Sequence, residues 1–430
     1  MNNTILFTRL LSFVTLCLFA SLSKSQTLGP STTEVRFSYS TTFEIPIGAD
    51  EDDNETRANF HASHLFGIFH SPTLVKKYIG PKAVIGGIGA PRTQMKIRIL
   101  SASEKNGKVV IRYSNSGKML LHKKAADKIL KNGGLVLPLP NNPYEIYDEK
   151  CTDEIYNSFG DFWYFYDPYR PGCTHLSQEP MAVPVKIKMT ELEYKKIERT
   201  AKLPWLRGNN GNGDLFQFYI INGYEDDGSK RNDPGRINFK ELEIDLIRRG
   251  FTISKKRPNT KIPMNIYSKM IQLDNGKTIE VEINHLLVDT GIGTKSAVFA
   301  KFLKEAVAEA DVIIYGGHSG LGANLDIPSL EEKAGGPFKF NSNKRQLFYF
   351  DSCASYSYYL EHFAVEKTKA KIDIISNGLS SYFHTSQSVL SKLLDRLFSE
   401  KTEDVEWLTI LNEMESPLEG DSYLLNVGGI

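Results

Sequence analysis

The chain has almost no charge of one sign to spare. Its 52 lysines and arginines against 51 aspartates and glutamates leave a formal charge of +1, so no global field draws it to nucleic acid or to anionic lipid. Long apolar runs are missing as well. Leu10 to Leu22 (LLSFVTLCLFASL) is uncharged but short for a bilayer, and no later stretch is long enough to act as a membrane span. No dinucleotide fingerprint, Walker-type loop, Cys-x-x-Cys pair or His-Glu-x-x-His helix stands at a usable place, so neither a cofactor nor a metal site is implied. With 41% hydrophobic and 24% charged residues the composition is that of a folded chain, and 430 residues favour more than one domain.

Cysteine is scarce too, with four in the whole chain. Their meaning depends on compartment, which the first residues address. Arg9 is the one positive charge before the apolar run, and Ser23-Lys24-Ser25-Gln26 follows it. Small residues at 23 and 25 suit the two subsites of a signal peptidase, so 1–25 reads as a signal peptide cut after Ser25. The product is expected to be secreted, periplasmic or displayed at the cell surface. Cys17 leaves with the signal; Leu16 before it disfavours a lipoprotein. Cys151, Cys173 and Cys353 remain, an odd number for an oxidising compartment. Cys151 and Cys173 flank an aromatic segment and are expected to form a disulfide, which leaves Cys353 as an intermolecular link or a free reactive thiol.

The span 26–207 reads as a β-rich unit. Val35, Phe37 and Tyr39 alternate with polar residues, as do Phe43, Ile45 and Ile47 after a break, then Met95, Ile97 and Ile99, and later Val183, Val185, Ile187 and Met189. Asn106-Gly107 supplies a hairpin turn before Val109, Ile111 and Tyr113. Asp50 to Glu55 reads as a solvated acidic loop, with a calcium site as the lesser alternative. Phe162 to Tyr169 holds six aromatic residues in eight positions, read as a core segment pinned by the disulfide in preference to a carbohydrate-stacking surface.

Gly208 to Asp214 (GNNGNGD) has linker composition, and 208–430 reads as an α/β unit. Leu215 to Ile221 is a continuous apolar strand, and Ile237 to Arg249 has helical spacing. Phe251 to Ser254 is a second strand, and a hairpin turning at Asn275-Gly276 leads up to Leu287. Ser296 is placed to cap a helix through Val298, Phe302, Leu303 and Val307. Strands follow at Val312–Tyr315, Gln346–Phe350 and Ile372–Ile375, with a helix over Ala354–Phe363 between the last two. Such alternation predicts a mostly parallel sheet covered on both faces.

Ligands of such sheets bind outside the carboxyl ends of the strands. Two of those ends are chemically loaded: Val312–Tyr315 runs into Gly316-Gly317-His318-Ser319-Gly320, and Leu347–Phe350 runs into Asp351-Ser352-Cys353-Ala354-Ser355. Cys353 falls at an expected helix start, where free amides and the helix dipole favour a thiolate. His318 has the pKa range of a general base, and the amides of Ser319, Gly320 and Cys353 are placed to form an oxyanion hole.

This arrangement resembles the caspase-fold cysteine peptidases, the group of caspases, legumain, gingipains, clostripain and separase, in which successive core strands end in the catalytic His and then the catalytic Cys. The resemblance covers Asp214 to Ile375, and Leu215 to Tyr224 looks like the first strand and turn of that domain. It implies a three-layer caspase-like α/β peptidase domain with a His318/Cys353 dyad acting on protein or peptide substrates. Two positions depart from the pattern: Ser319 separates His318 from Gly320, and Ser352 precedes Cys353 where Ala or Gly is common. Two other possibilities stay open. Asp289-Thr290-Gly291 resembles the active-site turn of aspartic peptidases, which need two such turns; and the chain could be a secreted binding protein, an adhesin or a degenerate peptidase. His285, His362 and His384 lack an apolar strand followed by glycines.

Amino-terminal sequencing of the exported protein is expected to begin at Gln26; a product retaining 1–25 would remove both the signal peptide and the oxidising compartment inferred from it.

Overall fold

The computed structural model describes residues 26–49, 52–92, 95–145, 149–151, 162–173, 176, 180–192, 200–207, 213–226, 230–257, 262–291, 296–367 and 371–428. The signal segment, Asp50 and Glu51 of the acidic run, Asp161, Asp227 and linker positions 208–212 lie outside the described residues.

From the amino end, β1 (Thr27–Leu28) and β2 (Thr32–Pro46) lead into three short helices, Asn54–Ser63, Leu65–His70 and Pro72–Tyr78. Then come β3 (Gly89–Pro91), β4 (Lys96–Lys105), β5 (Lys108–His122), a helix over Lys123–Lys131, β6 (Gly134–Pro140), β7 (Ala182–Glu191) and β8 (Thr200–Ala201). Strands β3-β5-β2-β7-β6 and the hairpin partner β4 form a six-stranded antiparallel sheet. The expected alternation is present up to Ile45: Val35, Phe37, Tyr39, Phe43 and Ile45 are all buried along the single strand β2, while Ile47 lies past its end and is exposed. Asn106 and Gly107 both have positive φ, at 51° and 74°, as the tight β4–β5 turn requires. These four helices, and the single turns Phe162–Phe165 and Leu203–Leu206, depart from the expected run of strands. The acidic run is no plain loop, because Asp53 caps the first helix, accepting from the Thr56 amide at 2.7 Å.

The second half supplies β9 (Leu215–Gly223), β10 (Thr252–Arg257), β11 (Met264–Gln272), β12 (Thr278–Val288), β13 (Val312–Gly316), β14 (Gln346–Asp351), β15 (Ile372–Ser376), β16 (Val405–Glu406) and β17 (Asn426–Gly428). A nine-stranded sheet runs β1-β17-β15-β14-β13-β9-β12-β11-β10. It is mixed, not mostly parallel. The β12/β9, β9/β13, β13/β14 and β14/β15 pairings are parallel, while the hairpins on one flank and β17 with β1 on the other are antiparallel. Helical crossovers return the chain in the same direction at the centre, short hairpins reverse it through β10, β11 and β12, and on the other flank β17 comes back antiparallel after the helices Phe383–Leu397 and Trp407–Glu415.

The central strands are buried on both faces, and their period of two divides the core. Phe216, Phe218, Ile220, Val312, Ile314, Leu347 and Tyr349 meet the helices Pro234–Arg248, Phe383–Leu397 and Trp407–Glu415. Tyr219, Ile221, Ile313, Tyr315, Phe348 and Phe350 face the other way, toward the helix Ala297–Glu309 and the antiparallel sheet. Ser296 caps that helix as expected, accepting from the amides of Val298 and Phe299. Leu120, Leu121 and Ile88 from the first half join Leu379 and Leu424 from the second in one continuous core.

Cys151 and Cys173 are bonded, and among the described residues Cys353 is the free cysteine. The aromatic segment they flank is packed inward. Tyr164 and Tyr166 are buried, Phe66 meets Trp163 edge-on at 5.5 Å, and His64 meets Tyr166 edge-on at 5.3 Å. That matches a core segment and leaves little ring surface for sugar stacking. Among the described residues no helix is long and apolar enough to cross a membrane.

Replacing both Cys151 and Cys173 by Ser is expected to lower stability by about 3 kcal/mol, the loop-closure value for a bridge of this span. Urea denaturation of parent and variant checks it, an unchanged midpoint being the contrary result.

Candidate active site

Strands β13 and β14 run parallel with Gly316 opposite Asp351. His318 and Cys353 each lie two residues beyond that registered pair, so the sheet delivers both side chains to the same edge, on chains about 4.8 Å apart at their origin. Both line a cavity of about 910 Å³ outside the carboxyl ends of β9, β13 and β14. Strand β9 is where the topology switches, since its parallel neighbours β12 and β13 lie on opposite sides of it, and a crevice is expected there.

Glycine lets these strand ends converge. A Cβ on Gly317 would stand 3.2 Å from the Gly223 Cα, and one on Gly223 only 2.6 Å from the Thr290 hydroxyl. The His318 carbonyl accepts from the Tyr315 hydroxyl at 2.6 Å and from the Asn324 amide at 2.8 Å, and the Ser319 carbonyl accepts from the Tyr359 hydroxyl at 2.7 Å. The backbone bearing the imidazole is therefore held by buried donors. The ring Nε2 lies 3.1 Å from the Glu225 carbonyl. A carbonyl only accepts, so Nε2 carries the hydrogen and Nδ1 is the basic nitrogen of the neutral ring. Phe383 meets the ring edge-on at 5.6 Å.

Cys353 is partly exposed at the cavity wall. Its neighbour Ala354 adopts the left-handed conformation, φ 49° and ψ 32°, and donates its amide to the Leu379 carbonyl at 3.0 Å. For a residue with a Cβ this costs about 1–2 kcal/mol, and it turns the chain sharply away from β14 immediately after the thiol. The single helix expected over Ala354–Phe363 is instead two short ones, Ser355–Tyr358 and Leu360–Val365. Its dipole is correspondingly weak, and the expected low thiol pKa is absent. Burial pushes the Cys353 thiol above its ordinary value; hydrogen bonding by the Ser381 backbone and Ser380 side chain opposes this, and the Asp351 carboxylate adds to it. The Sγ also lies 3.8 Å from the Ser381 carbonyl. Ser319, Gly320 and Cys353 border the same cavity, and the Cys353 amide hydrogen-bonds its own sulfur.

Several cavity residues went unassigned in the sequence. Asp351 ends β14; burial pushes its carboxyl up while Ser386, Asn377, Ser381 and Tyr349 pull it back by hydrogen bonding. Ser380 and Ser381 follow β15, and the strand-end rule that picked out His318 and Cys353 applies equally to that strand. Tyr164 arrives from the disulfide-flanked segment of the first half, for which no sequence signal exists.

The competing groups are placed differently. His285 is buried in β12, with Nε2 2.7 Å from the Asn222 side-chain oxygen and its ring stacked 4.0 Å from Phe239; burial pushes its pKa down to about 3. His362 is exposed on the helix after Cys353. His384 is exposed and does line the cavity, stacking on Tyr382 at 5.6 Å. Asp289 accepts the Gly291 amide at 2.8 Å, and the buried Thr290 hydroxyl lies 3.2 Å from the Tyr315 hydroxyl, so the Asp-Thr-Gly turn braces the end of β12. Among the described residues no group of three His, Cys, Asp or Glu side chains is arranged to hold a metal ion.

Alkylation of Cys353 by iodoacetamide is expected to keep accelerating above about pH 10, where a free cysteine has levelled off, because the raised pKa keeps the thiol protonated longer. A plateau below about pH 8 would show a stabilised thiolate instead. None of the family models and none of the curated proteins compared with the chain matches it.

Proposed function

We propose that the protein is an exported cysteine endopeptidase of caspase-like fold, with a β-rich amino-terminal unit ahead of the peptidase domain. The observation that carries this is the register of β13 and β14, which puts His318 and Cys353 at matching positions past one paired residue, on one cavity. Proteins and peptides are the substrates.

Because the thiol is neutral in the free enzyme, the reaction begins with general-base catalysis. Nδ1 of His318 takes the Sγ proton as the sulfur bonds to the substrate carbonyl carbon. The carbonyl electrons move onto oxygen, where the amides of Ser319, Gly320 and Cys353 stabilise the charge. The tetrahedral intermediate collapses, the C–N bond breaks, and His318 returns the proton to the leaving amine. A water deprotonated by His318 then cleaves the thioester and regenerates the thiol.

Aspartic chemistry is less well supported, since Asp289 stands in a single turn and spends an oxygen on the Gly291 amide. A purely binding role is disfavoured by the burial of Tyr164 and Tyr166.

Hydrolysis of a mixed peptide library should fall at least about 10³-fold in Cys353→Ala and in His318→Ala, while Asp289→Asn and His384→Ala stay within about threefold of the parent. A Cys353→Ala protein with undiminished turnover would overturn the mechanism, and loss confined to Asp289→Asn would select the aspartic alternative.

A further inference from the structure

We infer that the amino-terminal antiparallel sheet is a permanent wall of the active site, with Arg92 and Gly86 as positioning residues for the Cys353 segment, and not a prosegment that departs on activation. This rests on the placement of the site at Cys353 proposed above. A break in the linker between the halves would otherwise be the natural place for activation, so what joins them decides the matter.

Three sets of contacts join them, and the first two converge on the elements around the thiol. The first is electrostatic. Glu34 of β2 is fully buried, and its Oε1 accepts from the Arg92 guanidinium at 3.2 Å and from the Tyr356 hydroxyl. Arg92 also pairs with Glu361 and lies 4.7 Å over the Tyr356 ring. Tyr356 and Glu361 stand on the two short helices that follow Cys353, and on the first of these the Ser357 hydroxyl donates to the Pro91 carbonyl at 2.6 Å. Removing the sheet would strand a carboxylate from an ion pair and bare the back of the helix that begins two residues after the nucleophile.

The second contact is steric. A Cβ on Gly86 would lie 3.2 Å from both the Ser380 Cβ and the Tyr382 hydroxyl. Ser380 and Tyr382 border the cavity, and the Ser380 hydroxyl hydrogen-bonds the Cys353 sulfur. The loop around Gly86 thus sets how close the segment after β15 comes to the thiol. Tyr164 supplies cavity wall from the same half, beside Phe66, which stacks on Tyr358 at 6.0 Å.

The third is backbone pairing. Strand β1 extends the large sheet through β17, and the Gly29 amide donates to the Leu425 carbonyl at 2.8 Å. A fragment that leaves must give up a strand of the catalytic sheet as well as a shared core.

The test replaces 208–212 with a site-specific protease sequence in the full chain, cuts it, and runs native size exclusion. Both pieces are expected to co-elute at the uncut position and to separate only in urea. In the uncut chain, Gly86→Val should change the rate of Cys353 alkylation by about threefold or more at fixed pH, and Gly86→Ala by less, with melting temperatures near the parent. Arg92→Met should shift the alkylation pH profile, and Arg92→Lys should restore most of it. Elution of 26–207 apart from a folded remainder whose Cys353 reacts as before would overturn the inference. So would a Gly86→Val protein with an unchanged alkylation profile. Since the readout is thiol reactivity, a chain that hydrolyses nothing would defeat the peptidase proposal while leaving this result readable.

Discussion

Parallel pairing of β13 with β14 is the constraint on which the rest of the structure depends. Parallel neighbours point their carboxyl ends the same way, so anything appended to both ends arrives at one edge. An antiparallel pair would have sent the histidine and the cysteine to opposite ends of the sheet. The register then sets their relative height, and the glycines at 223 and 317 let the flanking strand ends come close enough to enclose them. The buried hydroxyls of Tyr315 and Tyr359 anchor the carbonyls of the histidine loop, so the site is braced from inside the core and is not left to loop preferences.

The same compactness works against ionisation of Cys353. A thiol packed among Ser380, Ser381 and Tyr382 beside a buried carboxylate is harder to ionise than a free one. The left-handed turn at Ala354 spends local strain to aim it, and the short helix behind offers little dipole to offset the burial. Orientation is favoured over ionisation. The first half of the chain takes part in this bracing, since its buried ion pair and its glycine contact both bear on segments next to the thiol.

Much of this was legible in the residues. Apolar runs such as LFQFYII and VIIY announce the central strands, Ser296 announces its helix, and the strand-end rule points to the edge of the sheet where His318 and Cys353 line one cavity. What escaped notice has physical causes. The helices over 54–78 are short pieces broken at His64 and Ser71, too brief to show a period against the surrounding alternation. Gly67 sits inside the second of them because a Cβ there would stand 2.3 Å from the Tyr166 amide, a tertiary reason that no local pattern contains. The antiparallel flank of β17 and β1 joins segments from opposite ends of the chain that no local pattern connects, and Arg92 gave no sign of its role because both carboxylates that pair with it are distant in sequence.

The pairing of β1 with β17 joins residues 400 positions apart, as the side-chain bond between Gln26 and Asn426 also does. One edge of the large sheet is therefore assembled from the first and last strands of the described chain. During synthesis the early strand has no partner until nearly everything else has been made. Loop closure over such a span is slow and yields its contacts late. Under the export proposed above this delay would be useful: the edge of the large sheet could not close on the side where synthesis begins, and the cavity beside Cys353 would be completed only after passage.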